Sequence, residues 1–372
     1  MPPLNLLIKP ASSLCNMRCR YCFYCDVADN REVPSYGLMT HETMECLIRR
    51  AFEFAEGSCG FAFQGGEPTL AGAAFYREFT ALADRYNVNN VKVSYTIQTN
   101  GYDVPDELCE ILAKYHFLAG ISLDGTGALH DANRVDAAGE GTFRRVNETI
   151  KKFERYGIDY NILCVVTENI AKNISKVYHY FRSKKYGFIQ FIKHIDGFGD
   201  EDTPSVYSLS PKRYAAFLKT AFGYYYEDFM KGNYRSVRQF DNFVMLALGK
   251  RPECCGMNGV CPNNMVIEAD GGAYPCDFYV LDKWCMGNIH DAPLKDLFDS
   301  PAARTFIAQS YKVEEKCRSC RYFGLCRGGC RRYREPVGEN GLSLNKYCES
   351  YMEFFDYAAP LIMNMASKLR QR

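Results

Sequence analysis

The sequence has no long hydrophobic run and no excess of charge of either sign. Its most apolar stretches reach about ten residues, whereas a membrane-spanning helix needs roughly 20. The formal net charge is +1, which does not point to nucleic acid or to an anionic membrane surface. The opening MPPLNLLIKP is too short and too interrupted for a signal peptide. We therefore expect a cytoplasmic protein whose partners include neither nucleic acid nor a membrane.

Cysteine, by contrast, is abundant. The chain has 18 cysteines, three of them within residues 15–22 and five within residues 317–348. In a secreted chain such a number would suggest disulfides. Because no secretion signal is present, metal binding or redox chemistry is the better explanation.

Apolar periodicity predicts alternating strands and helices in the first part of the chain. Strands are predicted at residues 4–9, 60–64, 91–99, 117–123, 160–166 and 188–194, and helices at residues 40–56, 73–85, 106–115, 143–156 and 170–185. This alternation indicates an α/β fold with a parallel sheet wrapped by helices, either open or curled into a partial barrel.

The pattern changes in the second part of the chain. Residues 197–210 are predicted as a loop, and helices are predicted at residues 211–231 and 237–248. A small, irregular, cysteine-rich part follows, with a β-hairpin at residues 265–276 and a final helix at residues 349–370. We therefore predict two domains, residues 1–235 and 236–372.

Cys15, Cys19 and Cys22 follow the first predicted strand with the spacing C-x3-C-x2-C. Thiolates are soft ligands that suit iron–sulfur clusters or zinc. A cubane cluster on three thiolates keeps one iron open for a small molecule, whereas a structural zinc would need a fourth ligand, such as Cys25 or a histidine. The predicted position at the carboxyl ends of parallel strands, where ligands bind, favours the cluster.

With Tyr21 and Phe23 beside Cys22, the segment resembles the signature of the radical S-adenosylmethionine enzymes. The resemblance implies a partial (β/α)6 barrel and a reduced [4Fe-4S] cluster that cleaves S-adenosylmethionine. The resulting 5′-deoxyadenosyl radical would abstract hydrogen from a substrate. Tyr21 is then expected among the cofactor-binding residues.

Gly65, Gly66 and Glu67 end the second predicted strand in the segment FQGGEP. Glycines let a backbone approach a ligand closely, and Glu67 could accept a hydrogen bond from an ammonium group. A tight turn would use the same glycines equally well. The segment resembles the family's second motif, which receives the methionine amino group.

Polar side chains also mark the ends of other predicted strands. The resemblance implies that Ser122 and Arg134 contact the ribose and methionine parts of the cofactor and that Ile195 lies near the adenine. A lone arginine in a loop is otherwise usually just solvated. Gln98 and Asn100 could orient the substrate, or they could cap the end of their strand.

Cysteines are dense again beyond residue 253, and two zinc ribbons would be one explanation. The spacing C-x2-C-x5-C-x3-C, with its flanking cysteines, resembles the SPASM extension of some radical S-adenosylmethionine enzymes. The resemblance implies two auxiliary [4Fe-4S] clusters, one on Cys255, Cys261, Cys276 and Cys330 and the other on Cys317, Cys320, Cys326 and Cys348. It also selects Cys255 over its neighbour Cys254. With no open iron, such clusters would carry electrons.

Asp277 follows Cys276 directly, in the segment YPCDFY. A carboxylate beside an electron-accepting cluster could remove the proton that leaves when a carbon radical is oxidised. Capping a turn is the other common role of an aspartate in such a position.

The segments FQGGEPTL and YPCDFY, with the two-cluster extension, resemble the anaerobic sulfatase-maturating enzymes. The resemblance implies oxidation of a Cys or Ser in an unfolded sulfatase polypeptide, within C/S-x-P/A-x-R, to Cα-formylglycine (3-oxoalanine). Asp277 would be the catalytic base, electrons would pass to the auxiliary clusters, and flavodoxin or ferredoxin would be the reductant.

Two alternatives remain open. One is another peptide-modifying SPASM enzyme, such as a thioether-crosslinking enzyme, and the other is a zinc-binding interaction module. Because the first signature cysteine is already at residue 15, we expect no leader-binding domain before the barrel. That arrangement favours direct recognition of a short motif.

Overall fold

The computed structural model describes residues 3–199, 204–335, 337–338 and 341–371. The chain divides into two compact units, and each unit is built from separate segments. The first unit comprises Met1–Leu123, His130–Asn161 and Asn263–Phe306, and the second comprises Asp124–Leu129, Ile162–Pro262 and Ile307–Arg372.

The strands, in chain order, are β1 Leu4–Ile8, β2 Ser58–Phe63, β3 Lys92–Thr99, β4 Leu118–Ser122, β5 Tyr160–Val166, β6 Phe188–Lys193, β7 Ser236–Val237, β8 Val266–Ile267, β9 Gly272–Tyr274, β10 Gly287–Asn288, β11 Val337–Gly338 and β12 Gly341–Leu342. The helices are α1 Phe23–Asp29, α2 His41–Phe54, α3 Gly72–Tyr86, α4 Asp106–Lys114, α5 Gly127–Asp131, α6 Phe143–Tyr156, α7 Glu168–Lys172, α8 Ile174–Ser183, α9 Pro211–Met230, α10 Arg238–Ala247, α11 Leu294–Phe298, α12 Pro301–Ser310, α13 Glu315–Arg318, α14 Phe323–Cys326 and α15 Cys348–Arg370.

In the first unit the strand order is β10-β9-β8-β1-β2-β3-β4, and the strands from β1 to β4 pair in parallel. Alternate residues of β2 are buried, as the alternating sequence of a half-covered strand requires. Aromatic rings fill the core: the centres of Phe63 and Phe79 are 4.9 Å apart, as are those of Tyr95 and Phe117. The parallel arrangement brings the carboxyl ends of β1, β2 and β3 to one edge.

In the second unit β5, β6 and β7 pair in parallel, and helices α9, α10 and α15 pack together. Ser210 accepts a hydrogen bond from Arg213 N at 3.3 Å and caps α9, while Pro211 occupies the first turn. The ring centres of Phe222 on α9 and Phe354 on α15 are 5.5 Å apart. Aromatic packing therefore dominates this helical layer.

Most predicted elements are confirmed. The ends of β5 and α6 match the prediction, and Thr40 caps α2 by accepting from Thr43 N at 3.1 Å. The predicted hairpin is formed by β8 and β9, and its first strand also pairs in parallel with β1, which the sequence did not predict. Residues 200–203 of the predicted loop lie outside the described residues.

One predicted helix is wrong as a single element. The expected helix over residues 170–185 is two helices, α7 and α8, separated at Asn173. Asn173 leaves helical geometry, with φ of −104° and ψ of 18°, and its side chain donates to Asn169 O at 2.9 Å. Such bonding between an asparagine side chain and the backbone competes with helix continuation.

Across the described ranges, none of the helices is both long enough and apolar enough to cross a membrane.

Candidate active site

The loop that carries the first three cysteines is packed against the turn after β2. Gly66 N donates to Ser12 O at 2.9 Å, and Glu67 N donates to Leu14 O at 2.7 Å. A Cβ atom on Gly66 would lie 2.1 Å from Leu14 O, and Gly65 has a φ of +127°. Only glycine suits both the contact and the backbone angle. The two glycines therefore fix the position of the cysteine loop.

The thiols of Cys15, Cys19 and Cys22 lie close enough to influence one another. Burial raises the pKa of Cys15 to about 11, and Cys19 and Cys22 add to the increase. Met17 N and Asn100 Nδ2 both donate to the Cys15 sulfur, at 3.4 and 3.6 Å. Three neighbouring thiolates repel one another unless a metal lies between them, and N–H donors to a ligand sulfur support such a metal. This set of donors therefore fits an iron–sulfur cluster.

Cys25 lies beside this group. Its thiol is hydrogen-bonded with Cys22, which lowers the pKa of Cys25 to about 7. Within the described part of the chain, no three His, Cys, Asp or Glu side chains converge closely enough to hold a single metal ion. A four-iron cluster binds each thiolate at a different iron, so its ligands need not converge on one point.

Glu67 is 1% exposed and already accepts several hydrogen bonds. Its Oε1 atom accepts from Thr69 N, Thr69 Oγ1 and Thr99 Oγ1 at 3.1, 2.7 and 2.8 Å, and its Oε2 atom accepts from Asn100 N at 2.7 Å. Burial raises the pKa of Glu67, and these donors oppose the increase. Glu67 therefore ties the ends of β2 and β3 together beneath the cysteine loop.

Tyr21 and Arg134, both expected to bind the cofactor, contact each other: Arg134 Nη1 donates to Tyr21 Oη at 2.9 Å. Arg134 is buried, and Ser122 is half-buried at the end of β4. Ile195 belongs to the second unit, where it is buried in the segment after β6. The first unit thus brings together Tyr21 and Arg134 in one contact.

Gln98 and Asn100, the expected substrate residues, differ in their surroundings. Asn100 Nδ2 donates to Asn16 Oδ1 at 2.8 Å, and Tyr102 N donates to Asn100 Oδ1 at 2.8 Å. Asn100 therefore supports the cysteine loop. Gln98 is half-buried in β3, and its side chain makes no hydrogen bond among the described residues.

Asp277 lies directly after Cys276, and only 8% of its surface is exposed. Its Oδ2 atom accepts from Tyr24 Oη at 2.7 Å and from Gln64 Nε2 at 2.9 Å, and Gln64 Nε2 also donates to Tyr24 Oη at 2.8 Å. The Oδ1 atom is buried and has no hydrogen-bond partner in the described structure. A carboxylate oxygen held in this way is available to accept a proton.

Lys9 belongs to a buried ion pair whose charge acts on Asp277. Lys9 Nζ lies 3.3 Å from Glu268 Oε2 and 5.2 Å from the centre of the Tyr24 ring. Arg31 Nη1 donates to the same oxygen of Glu268 at 2.7 Å. Burial raises the pKa of Asp277, and the charge of Lys9 opposes that increase. The cation thus favours the ionised form of Asp277, which can accept a proton.

Cys255, Cys261 and Cys330 form one group of thiols in the second unit. Burial raises the pKa of Cys330 to about 12, and Cys255 and Cys261 both add to the increase. Burial also raises the pKa of Cys261, and Cys255 adds to that increase too. The fourth cysteine of the predicted set, Cys276, belongs to the first unit.

Cys254 is the other candidate ligand beside Cys255. Its backbone N donates to Asn242 Oδ1 at 3.2 Å. Burial raises the pKa of Cys254, and two cations, Arg238 and Lys193, oppose the increase. These contacts favour Cys255 over Cys254 as the partner of the other thiols.

The four cysteines of the second predicted auxiliary set line a cavity of about 370 Å³ in the second unit: Cys317, Cys320, Cys326 and Cys348. Burial raises the pKa of Cys326 to about 11, and the other three thiols add to the increase. The wall also includes Tyr351, Phe355 and Met352, and Cys320 Sγ donates to Met352 Sδ at 3.6 Å. A cavity with four thiols and apolar walls fits a fully ligated cluster.

Sequence analysis missed the groups that hold Asp277. Tyr24 and Gln64 both adjoin motifs that were recognised, since Tyr24 follows Cys22 closely and Gln64 precedes Gly65. Their position next to motif residues was the available signal. Lys9 carried a weaker signal, because a lysine that ends a buried strand needs a partner.

Comparison with known proteins agrees with this arrangement. Residues 10–174 match the radical SAM superfamily, and residues 255–321 match an iron–sulfur cluster-binding domain. The fold and these matches define a radical S-adenosylmethionine enzyme with an additional iron–sulfur domain, and the predicted partial barrel with its cysteine-rich extension is confirmed.

Individual relatives show which family of radical S-adenosylmethionine enzymes this chain resembles. A cysteine-type anaerobic sulfatase-maturating enzyme of Clostridium perfringens is 47% identical over 370 residues, with 100% of both chains covered. A serine-type anaerobic sulfatase-maturating enzyme of Bacteroides thetaiotaomicron is 28% identical, with 99% of this chain and 92% of that protein covered. This chain belongs to the family of anaerobic sulfatase-maturating enzymes, as its motifs predicted.

Comparison with solved structures agrees with the comparison of sequences. Native anSMEcpe with bound AdoMet and Cp18Cys peptide has a TM-score of 0.95 and 46% identity, covering 99% of this chain and 100% of that chain. Streptococcus suis SuiB bound to precursor peptide SuiA has a TM-score of 0.65 at 19% identity, covering 93% of this chain and 76% of that chain. The similarity to SuiB shows a shared fold alone.

Proposed function

We propose that this chain oxidises a cysteine side chain of an unfolded sulfatase to Cα-formylglycine. The observation that carries the proposal is the Asp277 carboxylate, whose Oδ2 is held by Tyr24 and Gln64 while its Oδ1 is buried with no partner among the described residues. Oxidation of a cysteine side chain by two electrons releases a proton in addition to the abstracted hydrogen, so a base is required. Asp277 is that base.

The proposed reaction removes one hydrogen atom, one electron and one proton from the substrate, so a single base is sufficient. The substrate Cβ loses a hydrogen atom, and the resulting carbon radical loses one electron to an acceptor while the thiol proton passes to Asp277 Oδ1. The product is a thioaldehyde, which water converts to the aldehyde with release of hydrogen sulfide. Tyr24 and Gln64 keep Oδ2 occupied and so direct the transfer to Oδ1.

We infer that the cofactors are three [4Fe-4S] clusters and S-adenosylmethionine. When bound, the cluster on Cys15, Cys19 and Cys22 with S-adenosylmethionine supplies a 5′-deoxyadenosyl radical, and the auxiliary clusters supply the electron acceptor. The auxiliary ligand sets are Cys255, Cys261, Cys276 and Cys330, and Cys317, Cys320, Cys326 and Cys348. The residues proposed to contact S-adenosylmethionine are Tyr21, Gly65, Gly66, Glu67, Ser122, Arg134 and Ile195.

The comparisons support cysteine as the oxidised residue. The cysteine-type relative is 47% identical to this chain, whereas the serine-type relative is 28% identical. The proposed substrate is a short extended segment of the type C-x-P/A-x-R, oriented by Gln98 and, through the cysteine loop, by Asn100. The solved relative with a bound Cp18Cys peptide supports a peptide substrate.

We further propose the cytoplasm as the location, because none of the 18 cysteines, all of which lie within the described ranges, forms a disulfide, and thiols stay reduced there. A low-potential protein such as flavodoxin or ferredoxin would supply electrons to the first cluster. Residues 1–235 would form the catalytic domain, and residues 236–372 would form the domain of the auxiliary clusters.

The test combines metal analysis with mass spectrometry. Anaerobically reconstituted protein should contain about twelve irons and as many sulfides per chain, as three cubanes require. Incubated with a reductant, S-adenosylmethionine and a Cys-x-Pro-x-Arg peptide, it should convert the cysteine to an aldehyde. The matched peptide with Ser in place of Cys should react more slowly.

Two outcomes would contradict the proposal. Bound zinc without sulfide would indicate an interaction module in place of a radical enzyme. Cleavage of S-adenosylmethionine with a crosslinked peptide as product would indicate a different peptide modification.

A further inference from the structure

Lys193, the last residue of β6, lies in a cage of tyrosine rings within the second unit. Its Nζ atom is 4.4 Å from the ring centre of Tyr333, and it is 5.3, 5.6 and 5.4 Å from those of Tyr214, Tyr347 and Tyr351. A cation this close to aromatic faces is attracted by their electrons. The cage therefore fixes the position of a positive charge.

Hydrogen bonds hold the cage in place. Lys193 Nζ donates to Tyr351 Oη at 2.8 Å, and Tyr333 Oη donates to Lys193 O at 2.9 Å. Tyr214 and Tyr347 are fully buried, with ring centres 4.8 Å apart. The lysine side chain consequently has little freedom to turn toward solvent.

This charge has no carboxylate partner. No ion pair joins Lys193 to an aspartate or glutamate among the described residues, and the side chain is half-buried. A cation removed from water is costly unless a negative group compensates it. A negative group from another source would lower that cost.

Cysteines lie close to the residues of the cage in the sequence. Tyr333 lies three residues after Cys330, while Tyr347 and Tyr351 lie on either side of Cys348 in the sequence. Tyr333, whose ring faces Lys193 Nζ, is also bonded to Cys330 itself, since Tyr333 N donates to Cys330 O at 3.1 Å. The cage thus lies beside the thiol group that contains Cys330.

We propose that Lys193 is the counter-ion of the auxiliary cluster held by Cys330 and that its charge raises the reduction potential of that cluster. The inference rests on the proposed function, because it requires that cluster to be present. A [4Fe-4S] cluster with four thiolates becomes more negative by one charge when it accepts the electron that the substrate radical loses. A fixed cation beside it stabilises the reduced form more than the oxidised form.

Lys193→Met tests the role of the charge, since methionine keeps an unbranched apolar side chain within the cage. The reduction potential of the auxiliary clusters is measured in reconstituted protein by redox titration with electron paramagnetic resonance. The signal of the Cys330 cluster is recognised by its loss in Cys261→Ala. In Lys193→Met we expect its midpoint to shift to a more negative potential, with the signal of the Cys15, Cys19 and Cys22 cluster unchanged.

Two variants control for structural damage. Lys193→Arg keeps a cation in the cage and should restore the wild-type midpoint. Lys219→Met removes a surface lysine that pairs with Glu353 in the same unit and should leave the midpoint unchanged. Circular dichroism and iron content show whether each variant is folded and loaded.

The outcomes separate the inference from the proposed function. A full complement of clusters with the same midpoint in Lys193→Met and wild type would overturn the inference alone. A Lys193→Met protein that cannot hold the cluster, while Lys193→Arg can, would support the counter-ion role. Wild-type protein without auxiliary clusters would overturn the proposed function and this inference with it.

Discussion

Tyr24 and Asp277 are 253 residues apart in the sequence, yet the Tyr24 hydroxyl donates to Asp277 Oδ2 across 2.7 Å. Tyr24 belongs to the helix that follows the cysteine loop, and Asp277 follows a cysteine of the auxiliary set. The pairing of β1 with β8 brings these segments into one unit. This hydrogen bond joins the proposed base to the helix that follows the proposed cluster loop.

Asp277→Asn should suppress formation of the aldehyde while S-adenosylmethionine is still cleaved. Asparagine can occupy the same space, but its amide cannot take the substrate proton. We expect a loss of at least about 100-fold in product, typical of removing a general base. The two products, peptide aldehyde and 5′-deoxyadenosine, are quantified in the same reaction. Aldehyde at the wild-type rate would remove Asp277 from the role of base.

Tyr24→Phe should lower the rate of product formation about tenfold, because one of the two hydrogen bonds to the Asp277 oxygen is lost. Tyr160→Phe is the matched control, since Tyr160 donates to a surface carboxylate, Glu154, at 2.8 Å. It should leave the rate unchanged. Equal rates for both variants would show that the Tyr24 contact does not contribute.

Gly66→Ala should displace the cysteine loop, because the added Cβ would lie 2.1 Å from Leu14 O. We expect about 2 kcal/mol of destabilisation, typical of overpacking, and a lower iron content after reconstitution. Gly187→Ala is the control, since no atom lies within 4 Å of its added Cβ. Chemical unfolding and iron analysis compare the two. Wild-type iron content in Gly66→Ala would contradict the role of this glycine in seating the loop.

Glu268→Gln should destabilise the protein by about 3 kcal/mol at pH 7, because Lys9 and Arg31 would keep buried charges without an anion. Burial opposes ionisation of Glu268, but Lys9 and Arg31 reverse that effect, so its pKa is lowered. The wild-type advantage is therefore complete above the ordinary value of about 4.3 and is lost as the pH falls through the folded pKa.

Urea unfolding of both proteins between pH 7 and pH 3 measures this difference. The difference between the two free energies of unfolding should shrink toward the acidic end. A constant difference across the range would mean that Glu268 does not contribute through its charge.

The first six strands, the longer helices and the cysteine groups could be predicted from the sequence because their signals are local. Apolar alternation located β1 to β6, and the spacing of Cys15, Cys19 and Cys22 indicated a metal site. The break at Asn173 was missed because the apolar pattern continues through it. Local bonding of an asparagine side chain leaves no trace in hydrophobic periodicity.

The contacts around Asp277 could not be predicted, because they join segments far apart in the sequence. Asp277 was identified by its neighbour Cys276, whereas Tyr24 and Gln64 contact it only in the folded chain, in which β8 pairs with β1. The glycines of the FQGGEP segment were expected to approach a ligand, which stays a prediction, and the structure shows that they pack against the cysteine loop. Close contacts of this kind depend on tertiary packing, which a single sequence does not encode locally.

Mass spectrometry of one reaction tests the account most directly. The substrate is a Cys-x-Pro-x-Arg peptide with deuterium at the cysteine Cβ, incubated with reduced, cluster-loaded protein and S-adenosylmethionine. We predict that deuterium appears in 5′-deoxyadenosine and that the same peptide carries an aldehyde in place of the thiol. Formation of 5′-deoxyadenosine without deuterium, with the peptide unaltered, would contradict the proposed oxidation.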